Sequence, residues 1–257
     1  MARSMLDVFN KSRAAAPTAR VPDGTRLYAI GDIHGRDDLL ERLLEDIVTD
    51  AGAAPDGTRR VLVYVGDYVD RGLESRQVIE RLLDRPPEGF EVIHLLGNHE
   101  EAFLGFLEGK PIAFDWFRYG GLETLYSYDV PIPRRAARPI DIDGIRRKAV
   151  AAVPAAHVAF LRGCKLWHVE GDYAFVHAGV RPGVSLERQE ADDLLWIRDE
   201  FLSSRADHDG KVVVHGHTIC ERPEVRANRI NIDTGAFASG RLTCLVLEGE
   251  GRRFLHT

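Results

Sequence analysis

Gly66-Asp67-Tyr68-Val69-Asp70-Arg71-Gly72 follows directly on the apolar run Val61-Leu62-Val63-Tyr64-Val65. A run of β-branched and aromatic residues ending in glycine predicts a buried strand that opens onto a loop at its carboxyl end. In open α/β sheets that end is where ligands sit. Asp67, Asp70 and Arg71 place two carboxylates and a guanidinium within five residues, a set that is costly to desolvate unless a cation and an anion pair it. A solvated turn is the lesser alternative for the heptapeptide alone, and its context decides.

The same grammar occurs twice more. Leu27-Tyr28-Ala29-Ile30 runs into Gly31-Asp32-Ile33-His34-Gly35, and Val92-Ile93-His94-Leu95-Leu96 runs into Gly97-Asn98-His99-Glu100. Between the motifs lie apolar positions at helical spacing: Leu39, Leu40, Leu43, Leu44, Ile47 and Val48, then Val78, Ile79, Leu82 and Leu83. Strand, helix, strand, helix, strand predicts parallel pairing through right-handed crossovers. All three motifs are then expected on one edge of one sheet.

Outward from this unit, residues 1–22 lack sustained periodicity and read as a flexible N-terminal tail, with Pro22-Asp23-Gly24 as the turn into the first strand. Residues 23–257 read as a single α/β domain. Residues 101–163 change texture to a helical insertion after the third motif, whose aromatic stripe, Phe103, Phe106, Phe114, Trp116, Phe117 and Tyr119, reads as core. The basic clusters Arg134-Arg135 and Arg146-Arg147-Lys148 read as solvated faces. The second half is strand-rich. Lys165–Val169 and Tyr173–His177 flank the hairpin signal Glu170-Gly171-Asp172, and a helix is expected near Asp192–Leu202. Lys211–Val214 then leads into His215-Gly216-His217-Thr218, Arg229–Ile232 into Asp233-Thr234-Gly235, and Leu242–Leu247 reads as a final buried strand.

With 257 residues, 44% of them hydrophobic, the chain can bury a sizeable core and wholesale disorder is excluded. A formal charge of −6 argues against nonspecific attraction to nucleic acid or to an anionic membrane. Cys164, Cys220 and Cys244 are odd in number and show no Cys-x-x-Cys spacing, so they read as core thiols in a reducing compartment. No apolar stretch approaches the roughly 20 residues of a membrane span, and Met1–Arg20 lacks a signal-peptide apolar block. A cytoplasmic protein with no nucleic-acid or membrane partner is expected.

Asp32, His34, Asp67, Asn98, His177 and His217 all stand at expected strand ends. Mixed carboxylate, amide and imidazole donors without a thiolate suit Mn, Fe or Zn. Six donors exceed one tetrahedral site and fit two metals sharing a carboxylate. The blocks Gly-Asp-x-His-Gly, Gly-Asp-x-Val-Asp-Arg-Gly and Gly-Asn-His-Glu resemble the metallo-dependent phosphoprotein phosphatases. The resemblance extends through His177 in Val-His-Ala-Gly, Arg198 in Leu-Trp-Ile-Arg, and Gly216-His217-Thr218, covering roughly residues 26–247. It implies a metallophosphoesterase αββα sandwich with two mixed sheets. It also implies two divalent metals, manganese foremost, held by Asp32, His34 and Asp67 and by Asp67, Asn98, His177 and His217. A water bridging the metals would attack phosphorus directly. By the same resemblance Arg71 and Arg198 bind the phosphate, and His99, oriented by Asp70, protonates the leaving oxygen.

The implied activity is phosphomonoester hydrolysis on phosphorylated proteins or peptides, at Ser/Thr and conceivably Tyr. The first rival is symmetrical bis(5'-nucleosyl)-tetraphosphate hydrolysis by relatives that usually lack the counterparts of Asp70 and Glu100. A nuclease is disfavoured because Ile219 stands where Gly-His-x-His would need its second histidine, and a non-catalytic phosphopeptide-binding module because no ligand has decayed. Asp233-Thr234-Gly235-Ala236 looks like bacterial and phage members, and Ile219 replaces the proline many relatives carry after Gly-His-Thr.

Overall fold

In the computed structural model, which describes residues 18–132 and 140–257, the three motif strands are Thr25–Ile30 (β1), Arg59–Tyr64 (β2) and Phe90–His94 (β3). β1 pairs parallel to β2 and β2 parallel to β3. Asp37–Gly52 (α1) and Ser75–Asp84 (α2) make the two crossovers. Period-2 alternation sorts the strand residues. Leu27, Ala29, Val61 and Val63 point to one side and meet Tyr173, Phe175, Val212 and Val214 of a second sheet, whereas Tyr28, Ile30, Leu62 and Tyr64 pack on the helices.

The second sheet consists of Trp167–Glu170 (β4), Tyr173–Val176 (β5), Val212–His215 (β6), Glu224–Val225 (β7) and Arg229–Asn231 (β8), in the order β4-β5-β6-β8-β7. β5, β6 and β8 run parallel, with antiparallel strands at both edges. The first sheet is completed by Thr243–Glu248 (β9) and Gly251–His256 (β10), in the order β10-β9-β1-β2-β3. A further cluster, Val176, Val180, Leu194, Phe201 and Val213, covers the outer face of the second sheet. Two mixed sheets face to face, each with helices outside, form the expected αββα sandwich.

The segment after the third motif folds as Asn98–Glu108 (α3), Ala113–Trp116 (α4), a π-helical turn Phe117–Gly121, Leu122–Ser127 (α5), Ile142–Ala152 (α6) and Ala155–Gly163 (α7). Its aromatics divide: Phe103, Phe106 and Trp116 are buried and packed together, but Phe114 and Tyr119 are 64% and 62% exposed. Arg134-Arg135 lies outside the described residues.

Three other readings are amended. The helix expected over 192–202 is two short ones, Ala191–Trp196 (α8) and Asp199–Leu202 (α9), because Arg198 leaves helical dihedrals at φ −131° and ψ −101°. β9 is not the last strand. β10 follows it as an edge strand whose Arg252 and Arg253 hid its strand pattern, Arg253 reaching the Asp50 carboxylate at 2.6 Å. Of residues 1–22, those from 18 onward are described, and Val21 is fully buried between the sheets, its N–H donating to Gly249 O at 3.1 Å. No helix among the described residues is long and apolar enough to cross a membrane.

Candidate active site

The loops at the carboxyl ends of β1, β2, β5 and β6, together with the start of α3, converge at one edge of the sandwich. Seven non-glycine residues among those described have positive φ, and five of them are His34, Asp67, Asp70, Arg71 and His217. Left-handed backbone costs a branched or bulky residue energy and persists only where its surroundings over-determine it. Close approach does the rest. A Cβ on Gly97 would collide with the Asp67 carboxylate and backbone, and one on Gly216 would collide with Asp32 Oδ1.

Glu100 ties the second and third loops together. It is fully buried and accepts the backbone N–H groups of Asp67 (2.8 Å), Tyr68 (2.7 Å), Val69 (3.1 Å) and Gly97 (2.9 Å). Burial, then the Asp67 charge, push its pKa up to about 8, while these N–H groups favour the carboxylate. Only the ionised form can accept from all four.

All six expected ligands lie together. Asp67 stands in the middle, its Oδ2 3.4 Å from His34 Nε2 and its Oδ1 3.3 Å from His177 Nε2. It belongs to both groups of clustered ligand atoms, His34-Asp67-His99 and Asp67-His177-His217. Asn98 Oδ1 is 2.8 Å from both His177 Nε2 and His217 Nδ1. Asp32 joins from the other side, its Oδ2 accepting the His217 N–H at 2.9 Å.

The donor set asks for cations. His34 Nδ1 lies 2.8 Å from Val69 O and His177 Nδ1 2.9 Å from Val65 O, so each ring donates there and turns its Nε2 lone pair inward. Burial holds both imidazoles below their ordinary pKa, hence neutral. The lone pair of His177 then faces Asn98 Oδ1 and Asp67 Oδ1, and that of His34 faces Asp67 Oδ2. These are acceptors turned toward acceptors. Asp32 Oδ1, His34 Nε2 and His217 Nε2 are buried without a partner. Such a constellation is stable around positive charge, and the residues fit two divalent metals sharing Asp67.

Beside the ligands lies a second device. Asp70, fully buried, accepts from Thr124 Oγ1 on Oδ1 at 2.6 Å, and on Oδ2 from Trp116 Nε1 at 2.8 Å and His99 Nδ1 at 2.6 Å. Burial alone would lower the His99 pKa, but the Asp67 charge and the Asp70 bond raise it. His99 Nε2 points away from Asp70 and lies 3.1 Å from Arg71 Nη2. Arg71 also lies over the Phe237 ring, 4.8 Å from its centroid. Arg198 is exposed and weakly held, 3.3 Å from Thr218 Oγ1. Arg71, Asn98, His99, Tyr119, Trp196 and Arg198 line a groove of about 770 Å³. A larger depression of about 990 Å³, bordered by Leu73, Tyr126 and Ile132, contains none of these groups.

Trp116 and Thr124, which fix Asp70, escape sequence reading because nothing in the aromatic stripe or in Leu122–Ser127 marks them as polar partners of a residue about 50 positions upstream. His215 is not among the ligands. Its Nδ1 meets Gly216 O at 3.0 Å and its ring packs edge-on against Phe201. His157 is likewise buried, against Tyr128, and the half-buried His94 stacks on Tyr64.

The sequence pattern of calcineurin-like phosphoesterases matches residues 25–233. The chain is 30% identical over 240 residues to "Bis(5'-nucleosyl)-tetraphosphatase PrpE [asymmetrical]" of Geobacillus thermodenitrificans, a match covering 84% of this chain and 88% of that one. It is 29% identical over 227 residues to "Serine/threonine-protein phosphatase 2" of Salmonella typhimurium, covering 84% and 90%. Among solved structures, a cold-active protein tyrosine phosphatase superposes with a TM-score of 0.59 at 20% identity, over 92% of this chain and 81% of the other. A putative diadenosine tetraphosphatase does so with 0.58 at 21%, over 93% and 98%. At these identities the superpositions speak to fold alone.

Proposed function

The chain belongs to the calcineurin-like phosphoesterase family, and on that footing we propose that it is a metal-dependent phosphomonoesterase acting on phosphorylated proteins. Asp32, His34 and Asp67 would hold one divalent cation, and Asp67, Asn98, His177 and His217 a second, with manganese the metal we assign. When bound, such a pair supplies a water acidic enough to attack phosphorus near neutral pH and neutralises the phosphoryl oxygens. Arg71 and Arg198 offer forked donors to the remaining phosphate charge. An anion that draws Arg71 away frees His99 Nε2 to take up a proton, which the imidazolium would then give to the departing oxygen while its Nδ1–H stays on Asp70 and holds the ring in place.

The observation that carries the choice of substrate is the His99–Asp70 pair and the care with which Asp70 is fixed by Trp116 and Thr124. A serine or threonine alkoxide leaves poorly unless protonated, whereas the nucleotide released from a dinucleoside tetraphosphate is a stabilised phosphate anion that needs little help. A buried dyad with a raised histidine pKa suits the first task. Dinucleoside tetraphosphate hydrolysis is the second reading, favoured by the exposed Tyr119 and Trp196 rings beside a groove roomy enough for a nucleoside. It is also the activity printed in the name of the Geobacillus relative, in asymmetrical rather than symmetrical form. Three unpaired thiols, Cys164, Cys220 and Cys244, accord with the cytoplasmic location we propose.

The discriminating experiment is a rate comparison on the manganese-loaded chain, using phosphoserine, phosphothreonine and phosphotyrosine peptides beside a dinucleoside tetraphosphate. Higher kcat/KM on a phosphopeptide is the expected result. Turnover of the tetraphosphate with none of the peptides would overturn the proposal in favour of the second reading.

A further inference from the structure

Asp233 follows β8 in the same strand-then-loop grammar as the metal-ligand motifs, yet it has no role in the ligand set above. It is 1% exposed. Its mounting is rigid: Oδ1 accepts the Gly235 N–H at 2.8 Å, its own N–H donates to Asn231 Oδ1 at 3.0 Å, and its carbonyl accepts the Cys220 N–H at 3.0 Å. Close packing of the Gly31 backbone on Ile232 O presses the β1 and β8 loops together. The second carboxylate oxygen, Oδ2, is buried and meets no donor.

Across from it stands Asp32. The backbone beside Asp32 touches the Asp233 segment, a Cβ on Gly31 falling 3.6 Å from Asp233 N, and Asp32 Oδ1 is also buried without a donor. Two buried carboxylates on touching loops, each with an orphan oxygen, need either a proton shared between them or a cation. No protein donor reaches either orphan oxygen. His34 spends its N–H on Val69 O, His217 Nε2 has no partner, and the Arg71 Nη2 lies against His99.

We propose that Asp233 is a further carboxylate of the first metal site, facing the cation from the β8 side alongside Asp32, His34 and Asp67. The inference rests on the metal-dependent reading above. It makes that site three carboxylates and one imidazole, against one carboxylate, one amide and two imidazoles at the second. Oxygen-rich donors favour manganese or magnesium and imidazole-rich ones favour zinc. The two sites therefore differ in metal preference, and manganese competes with zinc better at the first than at the second.

Asp233→Asn separates a cation from a shared proton, because an amide of the same shape can donate to Asp32 as a protonated Asp233 would. The metal-free full chain is titrated with manganese by calorimetry, with free Mn²⁺ followed by paramagnetic resonance, and its melting temperature is recorded with and without metal. The expected result is a weakening of one site by at least about tenfold, the scale seen when a metal ligand's partners are lost, with the other site unchanged. The metal-free Asp233→Asn chain should melt close to the metal-free parent, since the amide donates to Asp32 as the shared proton does, while the rise in melting temperature on adding manganese should shrink. Asp233→Ser, a smaller neutral residue, should weaken the same site if the asparagine variant does not fold. Parent-like affinities at both sites in either folded variant would overturn the inference while leaving the metal-dependent reading intact. A parent chain that binds fewer than two metals would overturn the reading on which it rests.

Discussion

Asp67→Ala is expected to lower phosphatase turnover below about 1% of the parent, since loss of a mere outer partner of a metal ligand already costs ~10- to 100-fold. Asp67 is the carboxylate common to both clusters, within 3.4 Å of His34 Nε2 on one oxygen and 3.3 Å of His177 Nε2 on the other. The variant should weaken manganese binding at both sites. Asn98→Ala removes a donor shared by His177 and His217 alone, and should weaken one. The Asp67 side chain also accepts the His99 N–H at 3.1 Å, so circular dichroism must first show that the variant folds. Equal losses from the two variants, confined to one site, would refute the bridging role.

His99→Asn separates proton delivery from metal binding. Turnover on a phosphoserine peptide should fall by a factor on the order of 10² to 10⁴, the usual worth of a positioned general acid, with metal content nearly unchanged. An aryl phosphate such as p-nitrophenyl phosphate leaves as a stabilised anion and should lose clearly less. Asp70→Asn should follow the same pattern more mildly, because Trp116 and Thr124 still hold the side chain at that position. Equal slowing of both substrates, accompanied by an emptied metal site, would make His99 a ligand. Its place in one ligand cluster, with Nε2 3.9 Å from Asp67 Oδ2, makes that outcome worth testing.

The first sheet and its candidate ligands were legible because their signals are local. A β-branched run, a glycine and a polar donor are read within ten residues, and three such units with helical spacers leave one way to connect parallel strands. What escaped depends on distance in sequence or on edges. β7 has two residues and β10 carries two arginines, so neither shows an apolar alternation. The break at Arg198 is invisible in a stretch whose apolar spacing is helical throughout, yet it takes Arg198 out of the helix beside the groove. Trp116 and Thr124 meet Asp70 only because α4 and α5 fold back over the second motif, contacts that no pattern near residue 70 encodes. Asp233 is the instructive case. Its signal was present, an acidic residue after a strand, but the six ligands already satisfied the expected pair of metals.

The most direct measurement is metal content against turnover on one sample. The chain is stripped with a chelator, assayed on a phosphoserine peptide, then titrated with manganese while elemental analysis counts the metal retained. Turnover should vanish on stripping and return as close to two manganese ions bind per chain, because the proposed nucleophile is a water that only the bound metals would make acidic enough to attack. Full turnover by the stripped chain would contradict it.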